Sequence, residues 1–221
     1  MNPKLLKIAF RHAIKRVARQ NLTGRNRDRL NPAKGKFTRA EVKDILNQVW
    51  ERYDQLALKV PKAPRLGNRM NLLLACVTLA CFQVLSEIGI ERSYAIELIG
   101  DMAWKVYEKW GRIPLFLTRR LSSDPRKRLR MAVNLFLRFP FTPPGYVFNR
   151  IDSSEGISLD MTKCPVSDYL VREGAANLCT QTWCNLDFAL AEMWGGWLER
   201  TETLAQRSHR CDFRFKASPI G

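Results

Sequence analysis

The chain has 221 residues, 46% of them hydrophobic, with 12 Gly and 11 Pro. These values exclude wholesale disorder and a collagen-like repeat, and they fit one domain with an appended segment. Its 37 Lys/Arg against 21 Asp/Glu give a formal net charge of +16, and residues 1–39 hold twelve of those bases against one acid, Asp28.

Met1–Leu30 has Leu5, Ile8, Ala9, Ala13, Ile14 and Val17 at helical spacing, interleaved with Lys4, Lys7, Arg11, Lys15, Arg16 and Arg19. This is the pattern of a basic amphipathic helix. It lacks the continuous apolar run and small-residue cleavage site of a secretory signal, so a cytoplasmic protein is expected. The helix either lays its apolar stripe on the domain or, as a membrane-associated segment, adsorbs through residues 1–30 to an anionic membrane surface. Nucleic acid is the weaker reading, because no recognisable reader motif accompanies the charge. With the polar stretch Gly24–Lys36, residues 1–36 read as leader and linker, and residues 37–221 as a single α+β domain.

Thr38 followed three residues on by Glu41 is a capping-box pattern. The helix it opens carries Val42, Ile45, Leu46, Val49, Trp50 and Tyr53 to about Val60. Met70–Leu85 is the most apolar run, shorter than the roughly 20 residues needed to span a bilayer, and reads as a buried core helix from Asn68 to Ile88. A further helix is predicted over Ser93–Trp110, closed by Gly111 and Pro114. Arg119–Arg138 is a second basic amphipathic stretch with Leu129, Val133, Phe136 and Leu137 as its apolar side. After Pro144 the period changes to two. Strands are predicted over Tyr146–Ile151, Ile157–Lys163, Trp197–Ala205 and Cys211–Lys216. Between them fall a short helix from Pro165 and a longer one over Leu178–Trp194. The fold class expected is α+β: a helical N-terminal two-thirds, then an antiparallel sheet of two hairpins flanking a helical insert.

Four of the six cysteines, Cys164, Cys179, Cys184 and Cys211, fall in the last third. Without a secretory signal all six are expected as free thiols. No C-x-x-C pair occurs, which gives a zinc ribbon or thioredoxin-type motif little support, although dispersed thiols can still converge on a metal. No metal site and no cofactor are assigned. Cys184 and Asp187 are three apart and share a helix face. Cys164 directly precedes a Pro-initiated helix, where the N-terminal N–H groups favour thiolate. Cys211 opens a strand beside Asp212. Asp187, Asp212, Glu192, Glu202 and His209 are the candidate proton-handling neighbours.

The segments CPVSDYL (Cys164–Leu170), CNLDFALAE (Cys184–Glu192) and LERTETLAQRSHRCDFRFK (Leu198–Lys216) resemble the L-2-amino-thiazoline-4-carboxylic acid hydrolase family. The resemblance covers roughly residues 40–216 and is strongest over the last sixty. The chain departs from it in the turn Arg207-Ser208-His209-Arg210, where many relatives carry Gly, and in the extra Cys179. The resemblance implies a hydrolase opening a small cyclic amidine or thioimidate. Cys164, Cys184, Asp187 and Cys211 would be its catalytic residues, with Cys164 as nucleophile and Asp187 relaying protons. Arg200, Arg214 and His209 would bind the substrate, the arginines through its carboxylate. The alternative from the residues alone is a non-catalytic sensor with a thiol-lined pocket for a small ligand or metal. Oligomeric state is not set by these patterns.

Overall fold

A computed structural model describes residues 2–218. Five helices come first: α1 (Pro3–Leu22), α2 (Arg39–Ala57), α3 (Leu66–Glu87), α4 (Arg92–Leu121) and α5 (Pro125–Arg138). Strands β1 (Val147–Ile151) and β2 (Gly156–Lys163) follow, then α6 (Pro165–Arg172) and α7 (Ala176–Leu178). A π-helical turn over Cys179–Cys184 leads into α8 (Leu186–Met193), and β3 (Gly196–Glu199) and β4 (Cys211–Ala217) close the chain. The four strands form one antiparallel sheet in the order β1-β2-β4-β3. The protein is therefore α+β, with the sheet confined to the C-terminal part.

The Thr38 hydroxyl and the Glu41 carboxylate cap α2 reciprocally, as the spacing predicts. The apolar run becomes α3, which is long and apolar enough by composition to cross a membrane but is mostly buried inside the fold. Two asparagines are buried in the first turns of α3. Asn68 donates to the carbonyls of Pro140 (3.2 Å) and Thr142 (2.9 Å), and Asn71 donates to the Tyr146 hydroxyl (2.9 Å). They tie the loop after α5 to the helical half.

Three elements differ from the sequence expectation. In α1, Leu6, Val17, Ala18 and Leu22 are buried while Leu5 and Ile8 stay exposed, so the inward stripe is rotated from the one predicted. Helix α4 does not stop at Gly111 and Pro114 but runs through both to Leu121. Gly111 lets α8 approach: a Cβ there would lie 2.5 Å from Leu190 Cδ2, and the Trp194 indole donates to its carbonyl at 2.9 Å. Tertiary packing thus overrides the local breakers. Finally, β3 ends at Glu199 rather than Ala205. The Asp212 carboxylate accepts from the Thr201 and Glu202 amides at 2.9 and 2.6 Å, which diverts them from the ladder into a loop.

The molecule has two apolar cores. One lies among α1–α4, α6 and α7. The other lies between the inner face of the sheet and α5 and α8. Cys164 packs against both.

Candidate active site

The candidate site is a small pocket of about 90 Å³ at the junction of the two cores. Cys164, Cys184, Asp187, Arg200 and Cys211 all line it, together with Cys179, Tyr107, Tyr146, Trp183 and Trp194. All six cysteines of the chain are free thiols. Among the described residues no three His, Cys, Asp or Glu side chains are placed to hold a metal ion.

Strand parity explains which tail residues reach the pocket. Successive strand residues point to opposite faces. On β4, Cys211, Phe213 and Phe215 are buried, and they sit opposite Met161, Leu159 and Ile157 of β2. Asp212, Arg214 and Lys216 therefore take the outer face. There Asp160 accepts from both Arg210 and Arg214 at 2.8 Å, and Lys216 pairs with Glu155 and Glu199. Arg214 is thus held on the sheet exterior, away from any pocket substrate. His209 is exposed on the β3–β4 connection and is likewise outside the pocket. Asp212 and Glu202 shape the loop and its ion pairs. Glu192 does not line the pocket.

Arg200 has the inward parity of Leu198 on the same strand line. Only 3% of its side chain is accessible. Its Nη1 donates to the Cys184 carbonyl at 3.0 Å and to Asp187 Oδ2 at 3.1 Å. Its guanidinium lies over the rings of Phe188 and Phe213 at 4.8 and 5.5 Å. Burial pushes the Asp187 carboxyl up to about 6, against the opposing pull of Arg200.

The π-helical turn places Cys179 and Cys184, five apart, at the same angular position, because its hydrogen bonds close i to i+5. The Asn185 amide bonds to the Thr180 carbonyl at 3.1 Å in this way. The neighbouring Cys179 lowers the Cys184 thiol against the effects of burial and Asp187, and Arg200 assists. Cys179 is raised correspondingly.

Cys164 behaves opposite to expectation. It does cap α6, with Sγ accepting the Ser167 amide at 3.5 Å. Burial nevertheless pushes its thiol well up, because desolvation outweighs that bond. Cys211 is pushed up to about 12 by burial, although it accepts the Leu204 amide at 3.2 Å.

Two tyrosines went unnoticed in the sequence. The Tyr107 hydroxyl is buried with no hydrogen-bond partner among the described residues. Burial raises it, with Asp187 and Cys164 adding to the effect. Its ring stands edge-on to Trp183 at 5.8 Å, and Trp183 is fixed by donating to Thr78 at 3.2 Å. Tyr146 accepts from Asn71 and so has its own proton to give. The available signal was the pair Asn68/Asn71 at the start of the apolar run, since buried amides demand partners.

The site is thus a thiol-lined pocket in an α+β protein, with a buried cation, one adjacent carboxyl and a phenol without a partner among the described residues. Residues 78–215, more than half of the chain, match the family model described as L-2-amino-thiazoline-4-carboxylic acid hydrolase. The chain belongs to that family. No curated protein and no solved structure matches it.

Proposed function

We propose that the protein is a hydrolase that opens a small cyclic amidine or thioimidate of the 2-amino-thiazoline carboxylate kind by thiolate attack. The observation that carries this reading is the clamp of Arg200 on Asp187 and on the backbone of Cys184, inside a pocket with apolar walls. On this reading Cys184 is the nucleophile, Asp187 the proton carrier and Arg200 the cation that binds the substrate.

In the proposed course, Nε and Nη2 of Arg200, which take no protein acceptor among the described residues, bind the substrate carboxylate. The Cys184 thiolate attacks the ring carbon between nitrogen and sulfur. The ring C–S bond breaks, and the departing sulfur takes the proton of Asp187. An isothiourea remains on Cys184. Water then adds to the same carbon and returns a proton to Asp187, and Cys184 leaves as thiolate. The product is a urea with a free thiol, N-carbamoyl cysteine for the name-giving substrate. Tyr107 donates to the ring heteroatom or to the tetrahedral intermediate. An anionic substrate beside Asp187 raises its carboxyl further, so binding loads the acid with its proton. Cys164 and Cys211 act as weakly acidic wall residues. The chemistry needs reduced thiols, which suits a reducing compartment.

The test is incubation with 2-amino-thiazoline-4-carboxylate, following new thiol with a disulfide reagent and product mass. Wild type should release thiol, and Cys184→Ala should lose at least about a hundredfold in turnover. Full turnover in Cys184→Ala would remove the nucleophile assignment. No ring opening by wild type across a panel of cyclic amidines and thioimidates would remove the reading itself.

A further inference from the structure

Beyond Pro114, α4 continues for about two turns, and its apolar residues there face solvent. Ile113, Phe116, Leu117 and Leu121 are 58%, 55%, 43% and 68% exposed. Ile113, Leu117 and Leu121 recur every four residues and lie on one face. Phe116 and Arg120 form the adjoining row, with the Arg120 guanidinium 4.1 Å from the Phe116 ring centroid. Phe139, 41% exposed, stacks on Trp110 at 6.1 Å and extends the surface toward α5. A run of exposed large side chains of this kind marks an interaction surface.

Charge identifies the occupant. Arg119 and Arg120 are exposed around the patch, and the exposed Arg112 beside it pairs with Glu108 at 2.6 Å. Residues 109–138 hold nine Lys/Arg and one acid, Asp124. A second copy would bring the same arginines and another +16 against them. Nucleic acid would satisfy the guanidinium groups but offers nothing to Ile113 or Leu121. An anionic bilayer satisfies both sets: its head groups meet the arginines while the apolar side chains enter the acyl boundary. The leader fits this role less well. Its Leu6, Val17, Ala18 and Leu22 are in the core, and Lys7 pairs with Asp54 at 2.5 Å. We infer that the last two turns of α4 form a docking surface for an anionic lipid bilayer, seated on Ile113, Phe116, Leu117 and Leu121 and held by Arg119 and Arg120.

Vesicle flotation of the full chain tests this, using phosphatidylcholine alone and phosphatidylcholine with phosphatidylserine. Wild type should bind the serine-containing vesicles at least about tenfold better. The triple change Ile113→Ser, Phe116→Ser, Leu121→Ser should reduce that binding by about tenfold or more, with the thermal midpoint unchanged. Leu5→Ser with Ile8→Ser should retain it. Should the triple variant fail to fold, Arg119→Glu with Arg120→Glu should abolish the preference for phosphatidylserine. The inference is overturned by absence of vesicle binding, by full binding of the folded triple variant or of Arg119→Glu/Arg120→Glu, or by a wild-type dimer that the triple change dissociates. Tighter binding of wild type to DNA or to an acidic protein than to vesicles, lost in the triple variant, also overturns it.

Discussion

Arg200 Nη1 lies 3.1 Å from Asp187 Oδ2, and this contact keeps a carboxyl that burial raises to about 6 beside a cation. Between its ordinary value of 3.8 and about 6 the native state keeps a proton that the unfolded chain releases. Stability from this group therefore falls as pH rises through that window, by a total of order 3 kcal/mol. Asp187→Asn removes the slope. The difference in urea midpoint between wild type and Asp187→Asn, followed from about pH 4 to about pH 7, should move in favour of the variant as pH rises. Under the proposed chemistry, kcat/KM falls as pH rises through about 6, where the acid of the free enzyme loses its proton, while kcat falls only at higher pH.

The neighbouring Cys179 lowers the Cys184 thiol. Cys179→Ala removes that neighbour. The Cys184 thiol should then rise and its thiolate fraction near neutrality fall. Alkylation of the Cys184 peptide by iodoacetamide, quantified by mass spectrometry, should slow accordingly. Unchanged alkylation would show that Cys179 does not set the reactivity of Cys184.

The Tyr107 hydroxyl is buried without a partner among the described residues. Tyr107→Phe should leave the thermal midpoint unchanged or raise it, since an unsatisfied buried hydroxyl costs roughly 1–3 kcal/mol. Turnover on the ring-opening substrate should fall at least about tenfold. A variant both stable and fully active would dismiss a role for the phenol.

Arg207 adopts φ 65°, a left-handed conformation that glycine enters without steric cost. It is exposed in the turn before β4. Arg207→Gly should raise stability by up to about 1 kcal/mol, measured by urea denaturation, with activity unchanged. His209→Ala should also be silent in turnover, because His209 lies outside the pocket.

Much of this architecture is legible in the residues. The Thr38/Glu41 pair marks the start of α2, and the alternation Cys211, Phe213, Phe215 against Asp212, Arg214, Lys216 already separates inward from outward side chains. That parity points Arg214 outward, against the substrate-binding role the resemblance implied, and the structure holds it there on Asp160. The residues did not disclose that Gly111 and Pro114 sit inside a helix, because the reason is the approach of Leu190 and Trp194 from far along the chain.

The sequence by itself determined the element types, the α+β class, the family and the clustering of thiols in the tail. Each follows from short-range periodicity or from local motifs. Only the tertiary structure decided which thiol is the acidic one. Cys164 has the helix-capping position that local chemistry favours, yet it is desolvated. Cys184 is lowered by a thiol one π turn away and by a guanidinium beyond α8. Acidity sums burial and charge over everything nearby in space, and neighbours in space are fixed by the fold.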